Sequence, residues 1–161
     1  VALLLRQFPP EALPGFEWMK SLPVLKPNQI AFIGLRDIDE GERRFLKDLG
    51  ILAMTMYHVD KFGIGGVMAR VLDHLEHRPL HLSYDIDAVD PIHAPSTGTA
   101  VRGGLTLREA HYVAEAVSET GLLGSLDMVE LNPTLGCDEE AALTVEMSLG
   151  LISSALGSRI L

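Results

Sequence analysis

A lone cysteine, Cys137, leaves this chain of 161 residues unable to close an internal disulfide. That excludes a disulfide framework and fits a reducing compartment, with the cytoplasm the expected location. No His/Asp pair stands beside Cys137, so it reads as a small, partly buried thiol next to Gly136 and not as a nucleophile. Basic residues are scarce too: 13 Lys and Arg against 22 Asp and Glu leave a net charge of −9. A basic face for nucleic acid or for an anionic membrane is thereby excluded, and a cationic small substrate would suit better. No apolar run approaches the ~18 residues of a membrane span. The opening Val1-Ala2-Leu3-Leu4-Leu5 stops at Arg6 and the Pro9-Pro10 pair. The first residue is not Met, so an upstream segment is expected, and any targeting signal would lie there.

What remains is ample for one domain, residues 1–161. Hydrophobic residues make up 47% of the chain, and a domain this size buries roughly two-thirds of its surface. Residues 9–29 are rich in Pro and read as an irregular surface segment with two aromatic anchors, Phe16 and Trp18. Beyond them, strand and helix signals alternate. An apolar run at 30–35 predicts a strand buried on both faces. Residues 40–49 predict a helix closed by Gly50, and 51–56 a second strand. Ile64, Val67, Met68, Val71, Leu72 and Leu75 give helical spacing over 62–76. A third strand is expected at 80–84 and a fourth at 125–131. Thr106-Leu107-Arg108-Glu109 is a capping box for a helix ending near Gly121. Asp138, Glu139 and Glu140 open a last helix reaching about Leu156. Such alternation predicts a parallel sheet with helices on both faces: a three-layer α/β fold.

The densest chemistry follows the third strand. Ser83-Tyr84-Asp85-Ile86-Asp87-Ala88-Val89-Asp90 puts three carboxylates within six positions. On a strand, Asp85 and Asp87 would share a side, and like charges so close raise each other's pKa unless a cation intervenes. A hard divalent ion suits carboxylate oxygens; a polar turn built from Asp and Pro is the alternative. Both stay open on this pattern. Ligands of open α/β sheets bind beyond the carboxyl ends of the strands. Asp37 and Asp39 follow the first strand, Asp85 and Asp87 end the third, and Glu130 lies near the end of the fourth, so acidic groups converge on one rim.

Several stretches together resemble a known family. They are Ser83-Tyr84-Asp85-Ile86-Asp87-Ala88-Val89-Asp90-Pro91, Ala94-Pro95-Ser96-Thr97-Gly98-Thr99, Gly103-Gly104-Leu105-Thr106 and Leu126-Asp127-Met128-Val129-Glu130-Leu131-Asn132-Pro133. Upstream, Ile33-Gly34-Leu35-Arg36-Asp37-Ile38-Asp39-Glu40-Gly41-Glu42 is similar to a substrate-amine loop. In order and spacing, these stretches resemble the arginases of the ureohydrolase family, with this chain as the C-terminal half.

The resemblance implies a manganese hydrolase of linear amidines. Two Mn²⁺ bridged by a hydroxide would attack the guanidinium carbon of L-arginine, giving ornithine and urea. Asp85 matches the carboxylate bridging both ions, and Asp87 a ligand of one. Glu130 matches the carboxylate that holds the guanidinium, with Thr99 in the loop beside it. Asp39 and Glu42, with Asp37 nearby, match residues that hold the α-amino group. The remaining ligands of the family, in Gly-Gly-Asp-His and Asp-Ala-His-x-Asp segments, do not occur in this chain. Two carboxylates are poor material for a dimanganese cage, so little hydrolysis is expected from this chain alone. It reads as part of a longer enzyme, a cleaved product paired with its N-terminal half, or a stable fragment. The resemblance also implies a homotrimer, since Arg108-Glu109 matches a region of intersubunit ion pairing. None of the six histidines is assigned to metal: His81 and His111 read as packed or exposed, His93 lies in the loop after the acidic motif, where the family places no metal ligand, and His58, His74 and His77 read as surface residues. The rival readings are an agmatinase or another guanidine hydrolase, and an inactive ornithine-binding or oligomerisation module. Arginine is favoured because agmatine has no α-amino acid group for the Asp37–Asp39 loop.

Overall fold

The computed structural model describes residues 1–9 and 12–158. Strands and helices alternate as β1 (Ala31–Leu35), α1 (Glu40–Leu49), β2 (Leu52–Thr55), α2 (Met56–His74), β3 (Leu80–Asp85), α3 (Leu107–Glu119), β4 (Leu123–Val129) and α4 (Asp138–Ala155). A helical crossover returns the chain to the same end of the sheet, so neighbouring strands run parallel. β1 pairs with β2 and β3 with β4, both in parallel. The α/β class is therefore as expected.

Two features of the sheet add detail to that class. Among the described residues the strands form two two-stranded sheets, not one. β1 packs against the 3-10 turn Ile86–Ala88, and a cleft of about 970 Å³ is lined by both β1 and β3. Gly34, at φ 84°, sits where the β1–β2 register shifts, a bulge that bends β1 at its end. Among the described residues one face of β3–β4 is open. Leu82, Tyr84, Leu126 and Met128 turn toward the core, while His81, Ser83, Ser125 and Asp127 alternate onto an exposed side. That period-two polarity was the signal for a one-sided sheet.

Element boundaries moved for local reasons. Helix α2 starts at Met56, six residues before the expected position, because His58 Nδ1 accepts the Thr55 amide at 3.0 Å and caps the first turn. Gly63, at φ 68° and ψ 159°, then interrupts the helix, so the apolar stripe from Ile64 marks only its second part. β4 stops at Val129 because Glu130 leaves the ladder in a left-handed backbone, φ 64°. The capping box at Thr106 forms as expected, and α4 ends within a residue of the expected position. Phe16 and Trp18 are not anchors: they are 38% and 61% exposed, and Met19 is the buried residue of the 3-10 turn Glu17–Ser21. So short a turn offers the protein one side, and Met19 occupies it.

The core lies between the strands, α2, α3 and α4, and includes Val67, Ala110, Ala114 and Leu151. The acidic segment supplies its own pins, since Ile86 and Val89 are buried between the aspartates. Burying such side chains stabilises by about 1.5–3 kcal/mol each, which fixes the carboxylates beside them.

Candidate functional site

Asp85 is the last residue of β3, and the turn Ile86–Ala88 starts on it. Its Oδ1 accepts the Asp87 amide at 3.1 Å. Asp87 thus lies on a 3-10 turn, and the two carboxylates meet through that turn and not through strand alternation. Turn and acidic pair are the same object. Burial, and then the negative charges of Asp87 and Glu130, push the Asp85 carboxyl up to about 6, against the opposing amide bond. Asp87 Oδ2 in turn accepts the Thr99 hydroxyl at 2.6 Å.

A residue without an expected role holds this turn in place. The Arg36 guanidinium, at the foot of β1, donates to the carbonyls of Asp87 at 2.5 Å, Ala88 at 3.4 Å and Val101 at 2.6 and 2.9 Å. One planar fork with five donors can bind three carbonyls at once, which Lys cannot imitate. The available signal was a single cation between an apolar strand and an acidic loop.

Asp90 closes the far side. Its carboxylate accepts amides from Ile92 at 3.1 Å, Gly103 at 2.7 Å and Gly104 at 3.1 Å. These bonds, with the Arg36 charge, hold its carboxyl below the usual carboxylate range. A depressed folded-state pKa gives stability that is present above the unfolded value near 4 and lost as pH falls through the folded value. Asp90→Asn is therefore expected to cost about 1 kcal/mol at pH 7. Thermal denaturation should show that gap closing below about pH 4. A gap independent of pH would disprove the ionic contribution.

Asp37, Glu42, Asp85, Asp87, Thr99 and Arg36 line the same cleft. Asp39 does not line it but is tied to Glu42: Asp39 Oδ1 accepts the Glu42 amide at 2.8 Å, and Glu42 Oε2 accepts the Asp39 amide at 3.0 Å. The expected substrate-amine pair is therefore also the capping box of α1, a D-x-x-E signal legible in the sequence. Glu130 is exposed, not buried in a strand as expected, because its left-handed backbone turns it out of the sheet. It remains close enough to act electrostatically on Asp85.

The histidines stand apart from this group. His81 Nδ1 meets Ser125 Oγ at 2.8 Å on the open face, and His111 Nδ1 meets Ser154 Oγ at 2.9 Å. His58 and His74 are half-buried and not surface residues, the first as a helix cap. Cys137 is exposed and not partly buried, since it stands at the start of α4 in the open loop before it. Among the described residues no group of three or more His, Cys, Asp or Glu side chains is arranged to hold a metal ion. Asp85 and Asp87 fit part of a hard cation's shell: their oxygens are the right donors, and their mutual repulsion is what a cation relieves. A complete shell needs further ligands.

The Arginase family model matches residues 8–157. An arginase of Glaciozyma antarctica is 55% identical over 154 residues, 94% of this chain and 44% of the relative. Arginase-1 of Rattus norvegicus is 44% identical over 99% of this chain and 50% of its own length. In three dimensions the chain is similar to the Entamoeba histolytica arginase crystallised with L-ornithine, at TM-score 0.80 and 30% identity, covering 90% of this chain and 48% of that one. The chain spans about half the length of these relatives. Sequence and fold agree: the chain belongs to the arginase family and has its α/β architecture in part.

Proposed function

We propose that this chain is the C-terminal part of an enzyme that hydrolyses L-arginine to L-ornithine and urea with the help of two manganese ions. The observation that carries this reading is the convergence of Asp85, Asp87 and Thr99 on one cleft, with Glu130, just past the end of β4, close enough to act electrostatically on Asp85. Asp85 and Asp87 would donate carboxylate oxygens to the metal pair, the rest of the shell coming from outside this chain. When bound, such a pair supplies water activation at neutral pH.

The side chains of this chain do the rest. Glu130 receives the planar guanidinium in a two-bond pairing, which orients its carbon toward Asp85 and Asp87. Thr99 fixes the Asp87 carboxylate that it touches. Asp37, Asp39 and Glu42, all exposed at the start of α1, attract the α-ammonium group at the other end of the substrate. Water oxygen adds to the guanidinium carbon, its proton passes to Nε, and the bond between that carbon and Nε breaks. That nitrogen, carrying the water's proton, leaves as the side-chain amine of ornithine, with urea as the other product. Support also comes from the relative crystallised with L-ornithine, the amino acid this reaction would release. The reading extends to a homotrimer, with Arg108 exposed on α3 while Glu109 serves its own helix cap.

Turnover of L-arginine and of agmatine by the full-length protein tests the proposal. Arginine is expected to lead in kcat/KM by at least about 10²-fold, since a polar site discriminates strongly against a substrate missing a bonded group. A preference for agmatine overturns the substrate assignment. Absence of urea from both overturns the activity.

A further inference from the structure

Glu130 is one of four non-glycine residues with positive φ among those described, beside Arg6, Glu76 and His77. A side chain with a Cβ resists this left-handed backbone, so it persists only where the surroundings impose it. The imposing contacts come from the loop after the acidic turn. Thr97 is buried, and its Oγ1 donates to the Glu130 carbonyl at 2.9 Å. Its backbone bridges Leu131 in antiparallel fashion, and the Asn132 amide donates to the Ser96 carbonyl at 3.0 Å. Residues 96–97 therefore grip the chain at Glu130 and just beyond it.

The grip is anchored from behind. The Ser96 amide donates to Thr144 Oγ1 at 2.9 Å, and that hydroxyl donates to the Glu140 carbonyl at 2.8 Å. Ser96 Oγ donates to the Leu135 carbonyl at 2.7 Å. Ser96 and Thr144 are both fully buried, and a buried polar network whose members are all paired is rigid. Two residues along from Thr97, Thr99 binds Asp87. One short loop thus holds the backbone of the guanidinium-binding carboxylate with one hydroxyl and a metal-ligand candidate with another.

We propose that Thr97 is a positioning residue: its hydroxyl holds the backbone of Glu130 in the left-handed turn that carries Glu130 out of its strand beside Asp85. The assignment rests on the arginine-hydrolase reading for its catalytic consequence, but not for its geometry. Valine keeps the branched shape of threonine and loses the donor, so the Glu130 carbonyl is released while the packing stays. Serine keeps the donor.

The test compares Thr97→Val and Thr97→Ser in the full-length, manganese-loaded protein. Thr97→Val is expected to lower kcat for L-arginine about 10- to 100-fold, the range for residues that orient a site group from outside it. KM should change less than kcat, because orientation matters most in the transition state. Thr97→Ser is expected to recover activity to within about threefold, and manganese content should match in all three proteins. The second readout is crystallographic: φ at residue 130 should leave the left-handed region in Thr97→Val and stay there in Thr97→Ser. Should Thr97→Val fail to fold, Thr97→Ala is read in the same way. Unchanged φ with undiminished kcat in the valine variant overturns the inference, and so does equal loss in the serine and valine variants. If the unmodified protein releases no urea from arginine, the functional reading falls, while φ at residue 130 still decides this one.

Discussion

Glu130→Gln in the full-length protein is expected to lower kcat/KM for L-arginine by roughly 30-fold to several thousand-fold. The figure follows from the interaction removed. A carboxylate facing a guanidinium makes two parallel charge-assisted bonds, and the amide keeps one acceptor and none of the charge. Once bound substrate covers such a pair, truncating one partner costs about 2–5 kcal/mol, and each 1.36 kcal/mol is a factor of ten. Glu130 is exposed and its backbone geometry does not depend on its charge, so folding should be spared. A melting temperature within about 2 °C of the unmodified protein is the control, since exposed substitutions usually cost under 0.5 kcal/mol. Activity within threefold of the parent would remove Glu130 from the substrate site.

The second large effect is on stability. A Cβ at Gly104 would stand 2.6 Å from the Asp90 nitrogen, 2.7 Å from the Val89 carbonyl carbon and 2.8 Å from the Ala88 oxygen. All three are backbone atoms of the segment that carries Asp87 and Asp90, so no side chain can swing away. The same stretch is stitched by the Leu105 amide to the Ala88 carbonyl and the Asp90 amide to the Leu105 carbonyl, both at 2.9 Å. Gly104→Ala must separate these strands of chain, and it is expected to cost about 3 kcal/mol or more, the upper range of overpacking. In a chain of this size that lowers the melting temperature by roughly 6–12 °C. Gly98→Ala is the comparison, because nothing lies within 4 Å of its Cβ and it should melt near the parent. Equal melting of the two variants would show that the loop yields.

How much of this was legible beforehand differs from residue to residue. Helix α1, with its closing Gly50, and the Thr106 capping box could be read because their causes are local: side chains three residues apart satisfy the same turn's amides. Asp85 and Asp87 could be singled out because like charges in one short segment demand an explanation. The early start of α2 was missed although local too, since a histidine acceptor at the third helical position is a rarer cap than Glu or Gln.

Arg36 and Thr97 belong to another kind. Arg36 acts on residues 51, 52 and 65 positions away, and Thr97 on one 33 positions away. No periodicity records such distances. By itself, the sequence determined the alternation of strands and helices, the acidic run and its hard-ion chemistry, and the family, because propensity, charge and motif spacing act over a few residues. Only the tertiary structure decided that the acidic run is a capped turn, that β1 packs on this turn, and that Glu130 leaves its strand under the hold of Thr97. Those outcomes depend on hydrogen bonds between segments that meet only once the core has closed around Ile86 and Val89.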